Sequence, residues 1–151
     1  RPYASAGYIS SVDEKLARLK NFDRCRIVEN GQYDRSELAS RMARVDWVIV
    51  PSTWWEVYGL VLSEARMFSR PAIVADIGGL GERVRHDGDG LKFRPRDARS
   101  LAQAITLAAG NGELWRRLSS ETPPVVSHRE MARNYMRIVD VGMEDSGKLS
   151  R

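Results

Sequence analysis

The 151-residue sequence has one cysteine, Cys25, two histidines, and no apolar run near the ~20 residues that cross a bilayer. One cysteine cannot close an internal disulfide, and its scarcity fits a reducing compartment. His86 and His128 have no cysteine nearby and no second histidine at ligand spacing, which argues against a metal site. No Ser-His-Asp or Cys-His arrangement stands out. The arginines between positions 66 and 99 have only Phe68 and Phe93 among them, where a nucleic-acid site wants interleaved aromatic rings. The first residues, RPYASAGYISS, lack the apolar core of a signal peptide. There is no internal repeat and no low-complexity tract. What remains is an ordinary globular balance, 42% hydrophobic and 29% charged. The length suits one domain that buries roughly 70% of its unfolded surface. A net charge of +4 favours anionic partners such as nucleotides, nucleic acid or membrane headgroups, without choosing among them. These bounds fit a cytoplasmic protein, with peripheral membrane attachment of a longer protein left open.

Along the chain, strand and helix patterns alternate. Tyr3 to Ile9 reads as extended and Asp13 to Leu19 as a helix. Arg26 to Glu29 reads as a short strand and Gly31 to Arg35 as a loop. A helix follows to about Arg44, with Leu38, Met42 and Val45 along one side. Trp47 to Val50 is apolar on both faces, as a strand in a parallel sheet must be. A helix from Tyr58 or Gly59 to about Ser69 offers Leu60, Val61, Ala65 and Phe68 to the sheet. Ala72 to Ala75 is the next strand, Ile77 to Leu80 a Gly-rich turn, and Gly81 to Arg85 a short helix. Leu91 to Phe93 is the last strand. Ala98 to Ala109, with Leu101, Ile105 and Ala108 inward, then Glu113 to Leu118, and Ser127 or His128 to about Val139 complete the helices. Residues 1–142 make one domain, and 143–151 a polar, frayed tail. The alternation predicts an α/β fold, a Rossmann-like parallel sheet with helices on both faces.

The stretch Pro51 to Arg66, PSTWWEVYGLVLSEAR, stands out. It leaves a strand, turns through Trp54 and Trp55, and enters a helix, the place where open α/β sheets bind ligands. A helix start offers unpaired N–H groups and a positive dipole end, which suit an anion. Glu64, less than two turns in, can accept from two vicinal hydroxyls, as a ribose presents them. Glu56, with seven residues between it and Glu64, sits before the helix. Together these imply a nucleotide-like ligand, with phosphates at the helix start and a further polar group near Glu56.

This stretch resembles the E-x7-E segment of retaining glycosyltransferases of GT-B fold, the group 1 or family 4 class. GQYDRSELASRMARVDWVIVPS, PAIVADIGGLGERV and DGDGLKFRPRDARSLAQAI resemble that family's neighbouring segments in the same order, so the likeness runs from about Arg26 to Leu118. The resemblance implies the C-terminal, donor-binding half of such an enzyme, of hexosyltransferase type, in polysaccharide or glycoconjugate biosynthesis. It implies that Glu64 holds the ribose, and that Glu56 holds the donor sugar as the catalytic residue. Backbone N–H groups around Tyr58, Gly59 and Leu60 would meet the diphosphate, and Gly31, Gln32 and Tyr33 would wall the base. Gly78 and Gly79 would approach the donor closely. A nucleotide-sugar is then the substrate, with no cofactor or metal. The family opens this domain with one more strand and helix, bearing a diphosphate-binding Arg and Lys, and nothing before Tyr3 can supply it. The expectation is therefore most of one half of an enzyme, inactive in isolation. Its acceptor domain would be missing, and its exposed sheet edges would favour an edge-paired or swapped dimer.

Each residue also has a purely structural alternative. Glu64 can be an exposed helical glutamate near a positive helix end, and Glu56 a dipole partner. Trp54 and Trp55 can be half core and half interface, or can stack on a sugar or base. Gly78 and Gly79 can simply make a turn. Asp87-Gly88-Asp89 matches the D-x-D metal motif of another glycosyltransferase class, but the glycines mark it as a turn before a strand. IGGLGE is not G-x-G-x-x-G, which argues against a dinucleotide cofactor. Arg66, Arg70, Arg83, Arg85, Arg94, Arg96 and Arg99 read as a solvated face. A non-enzymatic α/β module that binds a polyanion or a protein partner is the competing function.

Overall fold

The computed structural model describes residues 5–20 and 26–146. It divides into two compact units, Arg1–Leu38 and Ala39–Arg151. In the first unit, helix α1 runs Ala6–Lys20. Ser5 starts it: its hydroxyl accepts from the Tyr8 N–H at 3.4 Å and its carbonyl from the Ile9 N–H at 3.1 Å, as an N-cap does. The expected extended segment Tyr3 to Ile9 is therefore helical from Ala6 onward, while Tyr3 and Ala4 lie outside the described residues. Small residues fit a helix as readily as extended chain, so composition did not distinguish them. The expected strand Arg26 to Glu29 does not form; residues 26–34 carry neither helix nor strand. Ile27 and Val28 are its whole apolar content, and no described strand in this unit could pair with it. Instead Glu29 pairs with Lys20 at 2.6 Å. A 3-10 turn follows at Arg35–Glu37, and helix α2 at Leu38–Met42.

The second unit is built on three parallel strands in the order β1-β2-β3: Val48–Val50, Ala72–Ala75 and Gly90–Phe93. Ile49 pairs with Ile73, and Ile73 with Leu91. All four residues of β2 are buried, which is why it reads as an unbroken apolar run. Alternation divides the core into two layers. On one face Ala72 and Val74 pack with Leu62, Leu80 and Val84, from helices α3 (Leu60–Met67) and α4 (Gly78–Arg83) and the residue after α4. On the other face Ile73, Ala75, Leu91 and Phe93 pack with Ala104, Ala108, Leu114 and Leu118, from α5 (Ala98–Ala108) and α6 (Gly112–Ser120). Both of these helices start on side-chain caps: Asp97 accepts from the Ser100 N–H and Asn111 from the Leu114 N–H, each at 3.0 Å. Such caps contribute about 1 kcal/mol apiece. Helix α7 runs His128–Ser146, so the tail expected to fray from Met143 stays helical to Ser146. No described helix is long and apolar enough to cross a membrane.

Two helices differ in part from the sequence reading: Ala65, Leu101 and Ala108 do pack inward, but others do not. In α3 the buried residues are Leu62, Ser63 and Ala65, while Leu60 and Val61 face outward, Leu60 being 72% exposed. Leu60, Val61 and Leu62 are consecutive, so either face could claim an apolar residue; packing against β2 chooses Leu62. In α5, Ala104 rather than Ile105 is buried. The Gly-rich turn at Ile77 to Leu80 is already the first turn of α4, which begins at Gly78.

Candidate functional site

The loop between β1 and α3 is short, exposed and fixed by its backbone. Ser52 accepts from the Trp54 N–H at 3.2 Å, and the Glu56 N–H donates to the Trp54 carbonyl at 2.9 Å. Both indoles are turned out: Trp54 is 76% and Trp55 72% exposed. Neither is half core. Gly59 immediately precedes α3 with φ +68°, a conformation other residues adopt at a cost, and no side chain caps this helix. No side chain therefore caps the first N–H groups of α3; that of Leu62 donates to the Gly59 carbonyl at 3.0 Å, which leaves those of Leu60 and Val61 for a ligand. Glu64 lies on the side of α3 opposite the buried Leu62 and is half-buried. Glu64 stands in the second turn of α3, and helical side chains lean toward the N-terminus, which puts its carboxylate within reach of the first turn.

The start of α4 is seated on this loop. The Gly79 N–H donates to the Glu56 carbonyl at 2.7 Å. A Cβ on Gly79 would collide with the Val57 carbonyl oxygen and stand 2.7 Å from its carbon and 2.9 Å from the Glu56 oxygen. Gly78 has φ +53°, and a Cβ there would stand 2.9 Å from the same Glu56 oxygen. The sequence placed both glycines beside a ligand or in a turn. The structure shows what their bareness admits: the backbone of the Glu56 loop itself. Of the sequence-selected residues, Glu56, Tyr58, Gly59, Leu60, Glu64, Gly78 and Gly79 all lie in the second unit. The loop and α3 hold the first five, and Gly78 and Gly79 close onto Glu56. Gly31, Gln32 and Tyr33 belong to the first unit, in exposed irregular chain.

An arginine network that the sequence reading treated as solvated face supports the same turn. The Arg83 guanidinium donates to the Tyr58 carbonyl, reaches the Gly59 carbonyl at 3.4 Å and the Ser63 hydroxyl at 3.0 Å, and lies 3.9 Å from the centre of the Tyr58 ring. Arg66 in turn donates to the Arg83 carbonyl and sits 3.7 Å from Asp89. The side chains of Arg66 and Asp89 are 11% and 2% exposed. Burial lowers the pKa of Arg66, against the opposing pull of Asp89. Asp89 also accepts from the Arg85 N–H at 2.9 Å, so it is committed inward, while Asp87 pairs with Arg117 at 2.7 Å. The two carboxylates of Asp87-Gly88-Asp89 thus serve separate structural contacts. The missed signal was position: Arg66 is four residues after Leu62 and shares its inward face. Among the described residues, no group of three or more His, Cys, Asp or Glu side chains could hold a metal.

The chain is similar to several known proteins. Over 75 residues the chain is 39% identical to a glycogen synthase of Mycobacterium tuberculosis, covering 50% of this chain and 18% of that protein. It is 37% identical over 81 residues to a D-inositol 3-phosphate glycosyltransferase of Jonesia denitrificans, covering 54% and 19%. Among solved structures it is similar to Anabaena HepE in complex with UDP and glucose, with a TM-score of 0.67 at 23% identity over 95% of this chain and 36% of that one. It is also similar to sucrose-phosphate synthase of Thermosynechococcus elongatus, with a TM-score of 0.62 at 28% identity over 93% and 37%. The chain thus spans under a fifth of these curated relatives and little over a third of the solved structures. Its fold is that of the Rossmann-like C-terminal domain of a GT-B glycosyltransferase. The family model for glycosyl transferases group 1 matches residues 14–124, and the chain belongs to that family.

Proposed function

We propose that this chain is the donor-binding part of a retaining glycosyltransferase, of family 4 and hexosyltransferase type, and that its donor is a nucleotide-sugar. The observation that carries the reading is the start of α3, which no side chain caps, with Glu64 in its second turn and the Glu56 loop braced by Gly79 and Arg83. Exposed N–H groups and the helix dipole suit a diphosphate. Glu64 accepts from the ribose hydroxyls. Glu56, on the loop before the helix, accepts from hydroxyls of the donor sugar. When the bond from the anomeric carbon to the phosphate oxygen breaks, the leaving diphosphate is stabilised by these fixed N–H dipoles rather than by a protein nucleophile or a metal. HepE, a neighbour in fold, was solved with UDP and glucose, which makes a uridine nucleotide the first candidate.

In this reading a further domain binds the acceptor, and the 151 residues by themselves do not turn over. Proximity supplied by that domain is worth roughly 7 to 11 kcal/mol of barrier in well-oriented cases. Among the described residues β1 is an edge of the sheet, with Ile49 exposed, and it is where an edge-paired or swapped dimer of the chain would form. The family match supports the transferase over a polyanion-binding module. A thermal-shift panel of UDP, GDP, ADP and their sugar conjugates tests the proposal, since a ligand that binds only the native state raises Tm. One nucleotide class should raise Tm markedly more than the others. A flat panel, or equal shifts with any polyanion, would count against it.

A further inference from the structure

Beside the Glu56 loop, past Gly78, opens a cleft of about 700 Å³ that the donor reading does not use. Trp55, Ile77, Val84 and Pro95 contribute apolar lining, and Asp76, Glu82, Arg85 and Lys92 the charged groups. The volume is in the range of small-molecule sites, roughly 300 to 1,000 Å³. The Trp55 backbone is held, since a Cβ on Gly78 would stand 3.3 Å from the Trp55 Cα, so the exposed indole projects from a fixed base. Lys92 is also held: its ammonium donates to Asp76 at 3.0 Å and to the Gly81 carbonyl at 2.9 Å.

From this we infer that the cleft binds a neutral oligosaccharide, with one sugar ring stacked on Trp55. The charges decide the class of ligand. Two cations and two carboxylates line the cleft, so it carries no net charge. Both cations already face carboxylates, Lys92 that of Asp76 and Arg85 that of Asp89 at 3.3 Å. A phosphate or sulfate ligand would have to compete with those carboxylates for the same cations. A ring of hydroxyls does not. It can donate to Asp76 and to the exposed Glu82, accept from Lys92, and lay its C–H face on the indole. An indole that is 72% exposed, beside a cleft with both apolar and hydrogen-bonding lining, is the arrangement such a ligand needs. Apart from Trp55, which the sequence reading also allowed to stack on a sugar or base, none of these side chains has a part in the nucleotide assignments.

The test is calorimetric titration of the 151-residue chain with maltopentaose, cellopentaose and mannopentaose, with a sulfated heparin pentasaccharide as the anionic control. At least one neutral sugar should bind at millimolar concentration, with an affinity that barely changes with salt. Trp55→Ala should weaken it by about 10-fold or more, and Glu82→Gln by less. UDP binding, measured separately, should be unchanged in Glu82→Gln. No binding of any neutral sugar would overturn the inference, as would binding indifferent to Trp55→Ala or a preference for the heparin fragment that fades with salt. Sugar binding without UDP binding would leave it standing and remove the donor reading instead.

Discussion

Replacing Gly79 by alanine tests how the two halves of the candidate site are joined. Alanine is the better helix former, and Gly79 lies in α4, so propensity alone would stabilise the protein by about 1 kcal/mol. Packing opposes this. The new methyl would occupy the space of the Val57 carbonyl and stand 2.9 Å from the Glu56 oxygen, and both neighbours are backbone atoms that cannot rotate away. Overpacking of this kind costs roughly 1 to 3 kcal/mol. The Gly79 N–H bond to Glu56, at 2.7 Å, is lost if the chains part, which costs about 1 kcal/mol more. Packing should win, leaving a net loss of about 1 to 3 kcal/mol; each kcal/mol lowers Tm by about 2 to 4 °C at this size. Gly7 in α1 is the control, since a Cβ there meets nothing within 4 Å. Gly7→Ala should stabilise by about 0.4 to 1 kcal/mol. Urea unfolding of both variants, with UDP titrated into each, reads the outcome. If Gly79→Ala stabilises as Gly7→Ala does, α4 is not seated on the Glu56 loop and the account of the site is wrong.

Other variants probe separate links. Removing Asp89 strands the largely buried Arg66, so Asp89→Ala should cost about 3 to 5 kcal/mol in denaturant unfolding. Arg85→Ala takes away the exposed partner of the same carboxylate and should cost under about 1 kcal/mol; equal losses would mean Asp89 is not anchored through Arg66. Arg83→Ala frees the Tyr58 and Gly59 carbonyls and should weaken nucleotide binding as well as lower Tm; loss of stability with unchanged affinity would separate the network from the site. Glu56→Ala should weaken binding of UDP-glucose but hardly that of UDP, because the proposal puts Glu56 at the sugar. Equal losses for both ligands would place it elsewhere.

The sequence made the second unit legible for a physical reason. Its central strand is buried on both faces, so Ala72 to Ala75 is an unbroken apolar run; Val48 to Val50 is one too, although Ile49 is exposed at the edge, and the segments between them carry helix starts and stops. Rotation of a short helix was less legible. With Leu60, Val61 and Leu62 adjacent, periodicity could not say which residue faces inward, and so could not say that Arg66 is inward either. The arginine network followed from that rotation and was missed with it. The role of Gly79 was hidden for a different reason, since close approach looks the same in sequence whether the neighbour is a ligand or the protein's own backbone. Arg26 to Glu29 was misread because a strand needs a partner, which local pattern does not supply.

The most direct test of the account is a pair of UDP titrations by calorimetry, one on the native chain and one on Glu64→Gln. Should another nucleotide lead the thermal-shift panel, it replaces UDP. The substitution keeps the shape of the side chain and removes its charge. Hydrogen bonds to a charged group are worth roughly 1.5 to 3 kcal/mol, so the affinity should fall by about 10- to 150-fold while Tm without ligand stays nearly constant. Identical affinity in the two proteins would contradict the assignment of Glu64 to the ribose, and with it the reading of the α3 start as a nucleotide site.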